Sequence, residues 1–167
     1  MTVRKLIDFV DLLPPSRRVV GLDIGEKTVG VALSDLSRTV ATPMETLTVR
    51  KFSKTATQIL DICVEHEVAA LIIGLPVNMD GTEGPRCQSV RQFARNLEAH
   101  FDMEMAFWDE RLSTVAVTKT MLEADLSRKK RSKNVDKLAA SYILQGALDF
   151  IQNHVNEVQS QPDDSWG

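Results

Sequence analysis

The sequence predicts an α/β domain around a mixed β-sheet, and three observations predict it. Two short β-branched runs, residues 19–24 and 28–33, are joined by Gly25-Glu26-Lys27, which reads as an antiparallel hairpin. A continuous apolar run over residues 68–73, closed by Gly74, suits a strand buried on both faces, as in a parallel sheet covered by helices. From there on, segments of helical period alternate with strands, the order that packs helices onto a sheet. At 167 residues the chain is long enough for one domain with a substantial core.

Before the hairpin, Leu6, Ile7 and Val10 fit one face of a short peripheral helix that Pro14-Pro15 would end. After it, residues 38–47 hold Val40 and Met44 but also Pro43, which suits a third antiparallel strand at a sheet edge. Phe52, Ala56, Ile59, Leu60, Cys63 and Val64 recur at helical spacing and predict a helix over 52–67. The buried strand follows, then a loop, LPVNMDGTEGP, punctuated by Gly81, Gly84 and two prolines. Pro85 stands where a helix can begin, with Val90, Phe93, Ala94 and Leu97 inward.

Residues 103–108 read as another strand, and Ser113 as the N-cap of a helix to about residue 124, with Val117, Met121 and Leu122 inward. Asn134 is the expected N-cap of the last helix, residues 135 to about 153. The polar stretch 159–167 reads as a frayed end. There are no internal repeats and no linker able to divide domains. The expected organisation is an N-terminal extension over 1–17, the domain over 18–154 and a flexible tail over 155–167.

A formal net charge of −3 means that any nucleic-acid contact has to rest on a local patch. Cys63 and Cys87 lack CxxC spacing, and His66, His100 and His154 lack zinc-finger spacing, so reduced thiols in a cytoplasmic protein are the simplest account. No run reaches the length of a membrane span, and the first residues do not resemble a signal peptide. The expected location is the cytoplasm.

Three acidic positions stand at element ends. Asp23 closes an apolar strand on the face shared by Val19 and Gly21, and a carboxylate there needs compensation. Either a cation supplies it, or Asp23 caps the turn through nearby backbone N–H groups. Asp109 and Glu110 follow the 103–108 strand, and alternation lets at most one of them look toward Asp23. The bland reading there is a solvated loop with an Arg111 ion pair. Asp136 falls in the expected first turn of the last helix, where an acid suits the helix dipole. It also lines up with Ala140, Ile143, Leu144 and Ala147, an apolar face beside small residues that allow close packing on a sheet. Separated carboxylates brought together are the minimum equipment for Mg²⁺ and for two-metal phosphoryl displacement. Between these acids lies SRKKRSK, residues 127–133, five basic residues in seven. It suits phosphate contacts or simply a solvated loop.

Residues 21–32, Gly-Leu-Asp-Ile-Gly-Glu-Lys-Thr-Val-Gly-Val-Ala, followed by Ser34-Asp35, resemble the opening signature of the YqgF family. These are bacterial relatives of Holliday-junction resolvases with an RNase H-like fold. Ile73-Gly74-Leu75-Pro76 with Gly81 resembles the second motif of that family, Asp109 to Thr114 the third, and Asp136 with Ala139-Ala140 the fourth. Each is weak alone; in family order over residues 19–148 they are specific. The resemblance implies a nuclease dependent on Mg²⁺ or Mn²⁺, with Asp23, Glu110 and Asp136 as catalytic acids and metal ligands. It implies maturation of the small-subunit ribosomal RNA precursor at its 5′ end, with junction resolution as the older proposal. Lys27, Arg111 and Thr114, within the motifs, and Arg128, Lys129, Lys130 and Arg131, in the basic run, are the expected substrate contacts. Structured RNA or branched DNA is the expected partner, to a monomer or a homodimer. The family often has an aromatic residue or histidine where Ile24 stands, and arginine where Thr28 or Val29 stands, so fine substrate contacts differ here.

Two rivals come from other classes. Asp23-Ile24-Gly25 also fits the phosphate hairpin of actin-like and sugar-kinase-like proteins, but a second such hairpin and a chain long enough for two halves are lacking. No GxxxxGK[ST] or GxGxxG occurs. A non-catalytic RNA- or protein-binding module would use the basic run, although no aromatic-rich stacking strand accompanies it. Cleavage in the presence of metal separates a nuclease from both.

Overall fold

A computed structural model describes residues 3–4, 6, 13–112 and 128–160. Among these, six strands and three helices run in the order β1 (Val3–Arg4), β2 (Arg18–Ile24), β3 (Thr28–Ser34), β4 (Ala41–Thr48), α1 (Phe52–Glu65), β5 (Val68–Leu75), α2 (Pro85–His100), β6 (Glu104–Asp109) and α3 (Arg128–Ser160). The sheet order is β1-β6-β5-β2-β3-β4. Five strands are of full length, and β1 adds two residues at one edge. The hairpin β2–β3 and the pair β3–β4 are antiparallel, whereas β2–β5, β5–β6 and β1–β6 are parallel. The expected mixed sheet is therefore present, with its first three long strands antiparallel.

The hairpin closes with the Gly25 N–H donating to the Thr28 carbonyl at 2.8 Å. Strand β4 is an edge strand, as Pro43 requires, since proline cannot donate to a ladder. Its register slips between the pairs Val31–Glu45 and Ala32–Pro43, so Met44 is an extra residue that bends the edge. Central β5 is buried along almost its whole length.

Alternation along β2 divides two cores. Val20, Leu22 and Ile24 face α1 and α2, packing with Ile59, Cys63, Val90 and Leu97. Val19 faces the other way, toward Ala140, Ile143, Leu144 and Leu148 of α3. The sheet surface under α3 is made small, with Ala32, Ala70 and Ala106 beside Gly21, Gly30 and Gly74. A Cβ on Gly21 would stand 2.7 Å from the Leu144 Cβ. The helix therefore rides directly on the backbone of the sheet.

Three expectations change, and two others fall outside the described residues. Val3 and Arg4 join the sheet beside β6, and Leu6 is buried against the α3 core, so this part of the N-terminal extension belongs to the fold. Ile7 and Val10, on the expected peripheral helix, lie outside the described residues, as does the expected helix after Ser113. In α1 the inner face falls on Thr55, Ala56, Ile59, Ile62 and Cys63, leaving Val64 71% exposed. Finally, α3 begins at Arg128, not at 135, and continues to Ser160. Neither glycine nor proline interrupts residues 128–145, so Asn134 lies inside the helix instead of capping it.

Candidate active site

Asp23 lies next to last in β2, only 5% exposed, on the face covered by α3. Its cross-strand partner on β3 is Gly30. On the other side, β5 is in register as far as Leu22–Ile73, and the next residue along β5 is Gly74. Asp23 is thus the one long side chain in a row of three positions, with a bare backbone on either flank.

Both flanks are roofed by the other two acids. A Cβ on Gly30 would collide with the main chain of Asp136, so α3 is seated on the residue paired with Asp23. A Cβ on Gly74 would meet the Ile143 side chain and stand 3.4 Å from the Glu110 carboxyl carbon. Glycine is required at both positions by close approach of another element rather than by backbone angle. The sheet, the helix and the β6 end thus set the Asp136 main chain over one glycine beside Asp23 and the Glu110 carboxyl group near the other.

The Thr28 hydroxyl donates to the Asp136 carboxylate at 2.6 Å, tying the start of β3 to α3. Asp136 is not in the first turn of its helix, because α3 starts eight residues earlier. The helix-dipole account of this acid lapses, since that effect is confined to the terminal turn. Its other expected property, a position on the face toward the sheet, is observed.

Asp109 and Glu110 separate clearly. The Asp109 carboxylate accepts the Arg111 guanidinium through both oxygens, Nη2 on Oδ2 at 2.7 Å and Nε on Oδ1 at 3.1 Å, and also the Arg111 backbone N–H at 2.9 Å. Those hydrogen bonds hold the Asp109 carboxyl below its usual range and raise the Arg111 guanidinium. Glu110 begins a 3₁₀ turn, Glu110–Leu112, and this change of backbone geometry swings it toward Gly74. The loop ion pair expected for Arg111 is present, and Asp109 is its acid.

Among the described residues, no three acid, histidine or cysteine side chains stand close enough to hold one ion between them. The donor chemistry nevertheless fits a hard cation such as Mg²⁺, which takes one or two carboxylates and completes its shell with waters and substrate phosphate oxygens. Lys27 is exposed at the hairpin tip, its carbonyl accepting from the Val49 N–H at 2.8 Å. Thr114 lies outside the described residues. Arg128, Lys129, Lys130 and Arg131 form the start of α3, at most about 12 Å along the helix axis from Asp136.

Two neighbours are not among the expected site residues. Thr28 lies within the opening signature but enters only as a departure from it. Arg86 follows the helix-opening Pro85 and donates to the Ile24 carbonyl at 3.2 Å, next to Asp23. It walls two clefts. One, of about 400 Å³, lies between the β5–α2 loop and Glu110–Arg111. The other, of about 550 Å³, lies between the hairpin tip and the start of α2.

A family model described as RuvX, Holliday junction resolvase, matches residues 17–150. A Ruegeria pomeroyi protein named "Putative pre-16S rRNA nuclease" is 55% identical over 146 residues, covering 87% of this chain and 95% of that protein. A protein of the same name from Paramagnetospirillum magneticum is 58% identical over 137 residues, covering 82% and 88%. Among solved structures, Thermus thermophilus RuvC in complex with a Holliday junction substrate superposes with a TM-score of 0.50, covering 83% of this chain and 96% of that one. Only 8% of residues are identical in that superposition, so the likeness is one of fold, the RNase H-like fold of the resolvases.

Proposed function

This chain belongs to the RuvX family, and from that membership we propose that it is a divalent-metal-dependent nuclease maturing the 5′ end of the small-subunit ribosomal RNA precursor. One arrangement carries the reading: Asp23 is flanked by two glycines, with Asp136 seated over one and Glu110 beside the other. Nothing in a turn cap or a surface ion pair requires that convergence of three segments.

Asp23, Glu110 and Asp136 would hold Mg²⁺ or Mn²⁺. When bound, such ions activate water and stabilise charge on the oxygens of a phosphodiester during in-line displacement. The remaining work falls to the chain itself. Burial of Asp23 keeps bulk solvent from competing for its carboxylate. Thr28 engages one oxygen of Asp136 and fixes the orientation of the other. Lys27, Arg111, Thr114 and the run Arg128 to Arg131 are the proposed phosphate contacts, which position a substrate without reading its sequence. The products are a 5′-phosphate and a 3′-hydroxyl. The reaction takes place in the cytoplasm, with a monomer or a homodimer as the working unit; among the described residues no helix is long and apolar enough to cross a membrane.

Junction resolution is the second reading, favoured by the description of the family model. An assay of the purified protein on ribosomal RNA precursor and on a four-way DNA junction, side by side with Mg²⁺ or Mn²⁺, decides between them. The proposal expects EDTA-sensitive cleavage of the RNA at the 5′ boundary of the mature sequence. Preferential cutting of the junction would transfer the role to DNA, and cleavage of neither substrate would remove the nuclease reading.

A further inference from the structure

Met79 is 86% exposed, the most exposed large apolar side chain among the described residues. Single exposed apolar residues are ordinary, but the setting of this one is not. It stands on the β5–α2 loop, where the Asn78 N–H donates to the Thr82 carbonyl at 2.9 Å and the Gly81 N–H to the Asn78 carbonyl at 2.8 Å. Asp80 accepts from both the backbone and the hydroxyl of Thr82, at 3.0 and 2.6 Å. Gly81, at φ +88°, supplies the left-handed turn that this loop needs. Hydrogen bonds of the loop, not apolar packing, therefore hold Met79 out in water.

The loop overhangs the cleft of about 400 Å³ whose walls include Val77, Met79, Pro85, Arg86, Glu110 and Arg111. That size lies in the range of sites that hold one small ligand. Apolar residues line it together with Arg86, Arg111 and Glu110 of the proposed metal site; Arg86 is anchored on the Ile24 carbonyl and Arg111 on Asp109. An apolar surface for a flat ring beside cations for the adjoining phosphates is the chemistry of one nucleotide out of its stack. A peptide or a free anion would leave one half of that lining unused.

Resting on the nuclease reading, we propose that Met79 is an apolar wedge that packs against one unstacked base of the substrate next to the cleaved bond. Arg86 and Arg111 hold the phosphates on either side. Insertion of methionine and similar side chains between base steps is a known way of opening a stack. Here the loop is already stiff, so little ordering cost is left for binding. The wedge selects substrates whose bases at the cut can leave their stack, such as a single-stranded leader next to a helix.

The test uses the full chain and a synthetic RNA spanning the 5′ boundary of the small-subunit sequence with its leader. 2-Aminopurine replaces each base flanking the cut in turn. Wild type is expected to cleave, and its Asp23→Asn form, which holds the RNA uncut, to brighten one probe position. Met79→Ala in the same two backgrounds is expected to abolish the brightening and to slow cleavage about tenfold. Met79→Leu, which keeps the apolar bulk, is expected to restore both. Thermal midpoints of the residue 79 variants are each expected to agree with that of their parent background within about 2 °C, as exposure of residue 79 implies. Absence of cleavage by wild type would remove the nuclease reading and the wedge with it. Cleavage with no brightened position, or with Met79→Ala matching wild type in both readouts, would overturn the wedge alone.

Discussion

Gly30 lies so close beneath Asp136 that a single Cβ on the strand would strike the main chain of the helix. Because Gly30 is also the cross-strand partner of Asp23, this close approach sets the spacing between two acids. Gly30→Ala is therefore expected to destabilise the fold by about 1–3 kcal/mol through overpacking, and to reduce cleavage more than that loss of stability explains. Denaturant midpoints and cleavage rates, measured well below the unfolding transition, check it. A variant with full activity would mean that the spacing is unimportant.

The hydroxyl of Thr28 engages the Asp136 carboxylate at 2.6 Å. Thr28→Val keeps the shape and deletes the donor, at an expected cost of about 1.5 kcal/mol for a hydrogen bond to a charged group. Thr28→Ser keeps the donor. Cleavage should fall in the first variant and survive in the second, and equal rates in both would confine Thr28 to packing.

The start of α3 carries Arg128, Lys129, Lys130 and Arg131. For every phosphate these side chains neutralise, their removal should flatten the slope of log binding against log salt by about 0.9 on duplex DNA and about 0.7 on single strands. Replacing the four by glutamine and repeating a salt titration measures how many phosphates they engage. An unchanged slope would mark them as a solvated helical turn.

Arg111 holds the Asp109 carboxyl below its usual range. A depressed acid contributes stability above its unfolded value of about 4, and loses it as pH falls through the lower folded value. The pair is in contact with solvent, which screens it, so the contribution at neutral pH is small. Asp109→Asn should be slightly less stable than wild type at pH 7 and equal to it near pH 2, with cleavage at pH 7 kept to within severalfold. A loss of cleavage as deep as that of Glu110→Gln would give Asp109 a direct role.

The hairpin, the edge strand with Pro43 and the buried strand β5 were legible because each is a local pattern: glycine at a turn, proline barred from a central ladder, unbroken apolar residues. The approach of α3 to Gly30 and Gly74 was legible only in part. Ala139 and Ala140 signalled a close helix, but which glycines lay beneath depended on register between distant strands. The start of α3 was misplaced because Asn134 is a good cap by type, while the basic residues before it are equally good helix formers. Val3–Arg4 could not be read at all, since two residues make a strand only when β6 offers an edge. Asp109 and Glu110 remained open because a 3₁₀ turn, invisible to alternation, decides which one meets Gly74.

The central claim is that Asp23 anchors a metal-dependent cleavage site. Its most direct test is the cleavage rate of Asp23→Asn on ribosomal RNA precursor, with the preparation freed of contaminating nuclease and Mg²⁺ or Mn²⁺ in excess. The substitution keeps size, removes the charge and exchanges one acceptor oxygen for an N–H donor at a position that is 5% exposed. The expected result is a folded protein that binds the RNA and cuts it at least about a hundredfold more slowly, since loss of a mere outer-shell partner of a metal ligand already costs about 10–100-fold. Cleavage by this variant at the wild-type rate would contradict the claim.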